Sequence, residues 1–381
     1  MSTLPPELID EILLRLPVKF LCRFKCVSKE WIDLISNPSF VKMHLSRAQT
    51  LGRTRLLVDD FWDLFSADLE TVSYNDDKIT MLRLGFPIPE KFYWIRCFGS
   101  CNGLLGLITE NNKLFVYNPS TQKCKQISNS GGPARIRHLY GFGYAESIDD
   151  YKLVKKSCPG ELVEVYSLGN NSWTSIENGL HFPEKCYEMG VYLNGAIHWA
   201  FEDLDGSCVI AVFDLVDEKF KTISLPDTVL KGNCHYTLTA LGGSLYLAVD
   251  KSDGQKQICV MPKHGVQGSW KINTMGMDNN SFSELRPLEL LINSKTLLLM
   301  TKEGLVFVDA NDYKLKNVEV GVMYQDDGIE QYNVVEFETE ESWHKLYVYT
   351  ESLVSPEYKS DFTAQGLKTL VQVREQDKVK E

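Results

Sequence analysis

From about residue 54 onward the chain repeats itself, and that repetition narrows its possible folds more than any other feature. Short apolar or alternating runs, such as Leu114-Phe115-Val116-Tyr117, Leu162-Val163-Glu164-Val165-Tyr166 and Leu245-Tyr246-Leu247-Ala248-Val249, read as strands, and no long helix interrupts them. Marking the residue that enters each second hairpin gives Phe65, Tyr117, Tyr166, Phe213, Val260 and Val308, at intervals of 52, 49, 47, 47 and 48 residues. Turn formers earlier in each unit keep the same beat: Asn102-Gly103, Asp149-Asp150, Asn194-Gly195, Gly242-Gly243 and Asn293-Ser294. These residue types tolerate the positive φ that tight hairpins need.

A strand repeat near 48 residues fits the blade of a β-propeller. Each four-stranded blade hides one face against the next, so the ring must close or leave an open sheet edge. The ends of the chain provide for closure. Residues 56–58 and 65–67 give two strands, 332–337 and 346–349 give two more, and together they make one blade. Five internal units centred near 115, 160, 205, 255 and 300 bring the count to six, or seven if a blade lies in the irregular stretch 74–97.

Residues 4–45 follow a helical period instead. Leu8, Ile12 and Leu16 are four apart and end at Pro17. A second short helix carries Phe20, Leu21 and Phe24. A third, capped by Ser28, carries Trp31, Ile32, Leu34 and Ile35 as far as Asn37-Pro38. Three helices of this size make a thin core, so the surplus apolar residues Leu4, Ile9, Leu13, Val18 and Val27 need a second surface, such as another protein. The expected organisation is 1–48 helical, 54–356 propeller and 357–381 a flexible polar tail.

Composition excludes several partners. The chain has 381 residues, 40 basic against 51 acidic, for a net charge of −11, and no Lys/Arg run that would track phosphates. Nucleic acid is therefore not an expected partner. No run of 18 apolar residues occurs and the N-terminus lacks the order of a signal peptide, so no membrane contact and a cytosolic or nuclear location are expected. The ten scattered cysteines read as reduced structural thiols.

No chemistry assembles. His138, His181, His198, His235, His264 and His344 never fall at ligand spacing, and Cys97 with Cys101 has no second pair, so neither a metal nor another cofactor is expected. Nucleophile elbows, phosphate loops and dinucleotide fingerprints are absent, and the Asp149-Asp150 and Asp326-Asp327 pairs suit turns. Trp173, Trp199, Trp270 and Trp343 occupy repeat positions where blades stack, so packing is their expected role.

The stretch Leu4-Pro5-Pro6-Glu7-Leu8-Ile9-Asp10-Glu11-Ile12-Leu13-Leu14-Arg15-Leu16-Pro17, continued by Leu21-Cys22-Arg23-Phe24-Lys25-Cys26-Val27-Ser28-Lys29-Glu30-Trp31, closely resembles an F-box. The remainder resembles the plant F-box-associated, kelch-like domain. The likeness rests on Cys101-Asn102-Gly103-Leu104, Tyr117-Asn118-Pro119-Ser120-Thr121, Gly141-Phe142-Gly143-Tyr144, Asp149-Asp150-Tyr151-Lys152-Leu153-Val154 and Tyr349-Thr350-Glu351-Ser352-Leu353. Tyr166 with Trp173 fits the kelch aromatic pair and Phe213 with Phe220 half fits.

The resemblance implies a small three-helix F-box that docks on the Skp adaptor, and through it on a cullin, while the propeller holds an unidentified protein client. By the same resemblance the adaptor contacts are Leu4, Pro5, Leu8, Ile9, Ile12, Leu16, Pro17, Leu21, Cys26, Val27 and Trp31, some of which must instead pack the bundle. Pro5, Ile9 and Val27 are the favoured contacts; for Leu8, Ile12, Leu16 and Trp31 the apolar stripe equally suits a helix core. Residues 1–50 carry seven basic and five acidic side chains, net +2, which suits the acidic adaptor of the family. The client is expected on rim loops at 74–97, 128–139, 177–188, 201–208 and 274–287. The resemblance thus implies a non-catalytic receptor of a ubiquitin ligase; the alternatives are a Skp-binding scaffold with no ligase role and an enzyme built on a propeller.

Overall fold

In the computed structural model, which describes residues 6–357 apart from 61–62, 74, 89–91, 129–136, 159, 178–188, 204–205, 230, 233, 253–254, 264, 266, 276–285, 292–295, 302–303, 310–314, 327–328 and 336–344, the chain opens with four helices. They are α1 (Pro6–Leu13), α2 (Val18–Phe24), α3 (Lys29–Ser36) and α4 (Pro38–Thr50). Ser28 caps α3 as expected, its side chain accepting from the Trp31 amide. The expectation of three helices is corrected at Asn37-Pro38. That pair ends α3 but also starts α4, because Asn37 Oδ1 accepts from Ser39 N at 2.8 Å and Pro38, lacking an N–H, loses nothing at a first helical position.

The strands then follow: β1 (Thr54–Asp60), β2 (Asp63–Asp68), β3 (Lys78–Arg83), β4 (Ile95–Cys101), β5 (Leu104–Thr109), β6 (Leu114–Asn118), β7 (Lys123–Ile127), β8 (Arg137–Ala145), β9 (Asp150–Cys158), β10 (Leu162–Ser167) and β11 (Ser172–Glu177). Next come β12 (Val191–Leu193), β13 (Ala196–Glu202), β14 (Cys208–Asp214), β15 (Lys219–Ser224), β16 (Cys234–Leu241), β17 (Ser244–Lys251), β18 (Lys256–Met261) and β19 (Lys271–Met275). The last are β20 (Arg286–Leu291), β21 (Thr296–Thr301), β22 (Gly304–Asp309), β23 (Leu315–Asp326), β24 (Ile329–Val334) and β25 (Lys345–Thr350).

Strands β4–β7, β8–β11, β12–β15 and β16–β19 form four separate four-stranded antiparallel sheets, and the other nine strands form one larger sheet. The hairpin turns Asn102-Gly103, Asn194-Gly195 and Gly242-Gly243 have positive φ throughout, as the sequence predicts, and Asn293-Ser294 lies outside the described residues. All six repeat markers, Phe65 to Val308, fall on strands that stand third in their four-strand run when β25 is taken as first in its own. The residue after the aromatic marker caps the next turn: Asn118 accepts from Ser120 N and Thr121 N, Ser167 from Asn170 N, and Asp214 from Val216 N and Asp217 N. Tyr166 faces Trp173 and Phe213 faces Phe220 across neighbouring strands, with ring centroids 5.3 and 4.9 Å apart.

Closure uses the predicted ends with one exchange. β25 pairs with β1 from Thr54 opposite Thr350 to Asp59 opposite Lys345, and β1 pairs with β2. The fourth strand of that run is β3, not 332–337, and so the stretch 74–97 contributes to two sheets already present instead of forming one of its own. β23 leaves β22 after Val318, runs parallel to β3 from Glu319 opposite Lys78, and carries β24 as an antiparallel partner.

Successive sheets stack through apolar clusters. Leu139, Val163 and Val165 pack with Ile197, Trp199 and Phe213, and Leu57, Tyr347 and Tyr349 with Leu105, Leu107, Phe115 and Tyr117. Trp199 is buried, and Trp173 and Trp270 pack half-buried against clusters, as stacking predicts; Trp343 lies outside the described residues. The first strands touch in the cyclic order β25, β4, β8, β12, β16, β20, and β20 returns to β25. The fold is a helical bundle followed by a β-propeller.

Candidate functional site

The helical bundle buries part of its apolar side chains and leaves others in solvent. Its core holds Leu13, Leu14, Val18, Leu21, Ile35 and Phe40, with Ile9, Leu16, Phe24, Trp31 and Leu34 packed half-buried against them. Leu8, Ile12, Phe20, Val27 and Ile32 remain about half exposed, Val27 most at 63%. All five lie on α1–α3 or in the turn between α2 and α3, within about 25 residues of chain.

Against the predicted contacts, the structure separates the list. Leu8, Ile12, Cys26 and Val27 are exposed, while Leu21 is fully buried in the bundle core and so is not available to a partner. Ile9, Leu16 and Trp31 belong mainly to the core, and Pro17 sits half-buried at the start of α2. Leu4 and Pro5 lie outside the described residues. Phe20 and Ile32, apolar members of the second and third helices that are not among the expected contacts, join the exposed set. The 3.6-residue period contained the answer: once Val18 and Leu21 face inward, Phe20 turns away, and Trp31, Leu34 and Ile35 leave Ile32 outside in the same manner.

The opposite side of the bundle is docked on the propeller. Leu353, just beyond β25, completes the helical core, and Leu45 of α4 packs among Phe98, Cys101, Tyr151 and Val354 of the ring. Arg53 donates to the carbonyls of Arg15 at 2.6 Å and Leu16 at 3.2 Å, and Glu351 Oε2 accepts from Val18 N at 3.2 Å. Further out, Gln49 Nε2 donates to Asn102 Oδ1, and Lys42 pairs with Asp149 at 2.8 Å. The second surface that the thin bundle needed is therefore supplied in part by the chain itself.

Several motif residues find their reasons here. Asn118 is fully buried and its amide nitrogen donates to the carbonyls of Ser352 at 3.0 Å and Val354 at 2.7 Å, fastening the segment that follows the closing strand. Asp149, at φ 50°, accepts from Tyr144 and Lys42, while Asp150 accepts from Ser167 and Gly169. These adjacent carboxylates thus hold turns and the seam. Lys152 reaches the next sheet, bonding Leu215 O and Glu218.

The bundle occupies one face of the ring. It touches Asn102 and Asp149, both in turns between first and second strands. Because antiparallel strands alternate direction, loops that join one sheet to the next, and second strands to third, open on the other face. The segments 128–139, 177–188 and 274–287 are of the first kind and 201–208 is of the second, so these four leave strands that open away from the bundle, although parts of each lie outside the described residues; of 74–97 only the part after β3 is of the first kind, since 78–83 is β3 itself and 74–77 belongs to the β2–β3 turn on the bundle side. Among the described residues no group of three or more His, Cys, Asp or Glu is placed to hold a metal ion, and no helix is long and apolar enough to cross a membrane.

Two histidines link this architecture to pH. Burial lowers the pKa of His44, whose Nε2 lies 2.9 Å from Leu16 O beside Arg53, and burial with Lys155 nearby pushes His138 down to about 4. His138 is therefore neutral in the folded state at pH 6 and His44 is shifted in the same direction, whereas an unfolded histidine protonates near 6.5. The unfolded chain then binds more protons, so stability present above about pH 6.5 is lost as pH falls toward 4. Urea midpoints are expected to drop between pH 7 and pH 5, and to drop less in a His138→Gln variant; an equal drop in that variant would contradict the assignment.

Comparison with known proteins agrees with this geometry. Residues 57–356 match the F-box associated beta propeller domain family and residues 1–43 match the F-box domain family. The F-box protein CPR1 of Arabidopsis thaliana is 30% identical over 359 residues, covering 84% of this chain and 85% of that protein. An F-box/kelch-repeat protein of the same plant is 30% identical over 293 residues, covering 70% of this chain and 78% of its own length. The chain belongs to the plant F-box protein family in which an N-terminal F-box is followed by an F-box-associated, kelch-like β-propeller.

Proposed function

We propose that the protein is the substrate receptor of a Skp–cullin–F-box ubiquitin ligase, working in the cytosol or nucleus. The adaptor docks on the exposed face formed by Leu8, Ile12, Phe20, Cys26, Val27 and Ile32, and a protein client docks on the loop face across the ring. The observation that carries the reading is the division of the F-box itself: part of it is bound into the propeller, while Leu8, Ile12, Phe20, Val27 and Ile32 stay about half exposed in solvent. A ring of six four-stranded blades is supported by the cyclic contact of six first strands, with β20–β23 and β3-β2-β1-β25 as the two blades that share the nine-stranded sheet.

No catalytic residue is required of such a receptor. It holds the client near a ubiquitin-charged conjugating enzyme, which raises the effective concentration of the acceptor lysine. The test is purification of the intact chain from plant extract followed by immunodetection of the Skp adaptor and the cullin. Recovery of both supports the receptor reading; adaptor without cullin favours a scaffold, and neither overturns it.

A further inference from the structure

The F-box is held at one corner by residues drawn from the two ends of the ring. Arg53 immediately precedes β1 and Glu351 immediately follows β25, the paired strands that close the propeller, and Glu351 N donates to Arg53 O at 3.1 Å. Arg53 takes the last carbonyls of the turn after α1, those of Arg15 and Leu16. Glu351 accepts from the first amide of α2, where Pro17 offers no side-chain cap of its own. Arg55 lies 3.9 Å from the other Glu351 carboxylate oxygen, a favourable charge contact. Both side chains are largely covered, at 15% and 14% exposure.

We infer that Arg53 and Glu351 are positioning residues: a clasp, complete only when the ring is closed, that sets the angle between the adaptor-binding helices and the loop face opposite. The inference rests on the receptor reading for its purpose, since transfer by proximity needs the two ends of the receptor at a fixed separation. The clasp is specific to the α1–α2 corner. By contrast the Lys42–Asp149 and Gln49–Asn102 contacts lie at α4, with Lys42 half exposed, and a solvated pair of that kind contributes little to holding an orientation.

The experiment places a fluorescent donor and acceptor, as noncanonical amino acids, at the exposed positions Ser36 on α3 and Lys219 on β15 of the full chain. Wild type is expected to give one narrow distance, and Arg53→Ala/Glu351→Ala a distribution at least about twofold broader. Hydrogen exchange read in parallel should quicken about 100-fold at α2, the loss expected for hydrogen bonds to charged groups, while β10 and β14 keep their protection. A Lys42→Ala/Gln49→Ala variant should stay narrow. An unchanged distance in the first variant, equal broadening in the second, or loss of protection at β10 and β14 in the first would each overturn the clasp. Failure of wild type to bind purified Skp adaptor would instead remove the receptor reading and leave the distance result standing.

Discussion

A chain carrying Ile12→Asp together with Val27→Asp is expected to lose the Skp adaptor, by about 100-fold or more in affinity, while its urea midpoint stays where it was. Ile12 and Val27 are 51% and 63% exposed, so a carboxylate at either site stays in water and alters folding by no more than about 0.5 kcal/mol. On docking, the same carboxylates would be taken out of water with no partner provided. Unpaired burial of a charge costs several kcal/mol, enough to erase a micromolar complex. Leu21→Asp supplies the contrast. It also abolishes binding, but through the bundle core, where Leu21 is fully buried, so its loss of affinity arrives with a lowered midpoint. Titration calorimetry with purified adaptor, beside urea denaturation of each variant, separates the two. Wild-type affinity in the Ile12/Val27 variant would disprove the adaptor face.

The contrast also shows which parts of this molecule its sequence disclosed. The repeat of aromatic markers was legible because the same physical need recurs in each sheet. A large side chain on the third strand must stack on its neighbour, and a capping residue must follow it, as Tyr117-Asn118 and Phe213-Asp214 do. The pairing of β1 with β25 was legible because strands left over at both ends have nowhere else to go. The place of β3 was not. Lys78–Arg83 is short and half polar, it pairs with β2 only at Leu82 and Arg83, and its longer pairing is the parallel one with β23, a strand far along the chain. Long-range pairing of this kind leaves no local trace.

The F-box face was half legible for a related reason. The spacing of Leu8, Ile12 and Leu16 shows that one side of a helix is apolar, but not whether that side meets the chain's own core or a partner. Here the ring answers part of the question, because Leu353 joins the helical core on the inner side while Leu8 and Ile12 stay outside. Neither Arg53 nor Glu351 belongs to any helical pattern. Their roles depend on the ring bringing two ends of the domain together, which no window of sequence contains.

Gly103→Ala is expected to cost about 3 kcal/mol or more, read as a fall in the urea midpoint of ring and bundle together. Gly103 adopts φ +81°, which already disfavours any side chain. A Cβ there would lie 2.5 Å from Thr350 O and closer still to Ser352 Oγ. Neither atom can yield cheaply. Thr350 is the last residue of β25, opposite Thr54, and moving it strains the pairing that closes the ring. Ser352 lies in the segment fastened by Asn118, and Glu351 between them caps α2. Gly195 provides the control: it has nearly the same φ, +77°, in an equivalent hairpin, but a Cβ there meets nothing within 4 Å. Gly195→Ala should therefore cost only the backbone term, about 1 kcal/mol. Equal losses at the two positions would mean that φ alone sets the penalty and that the closing strand has room to move. A larger loss at Gly103, accompanied by faster exchange in α2, would place ring closure and F-box support in a single cooperative unit.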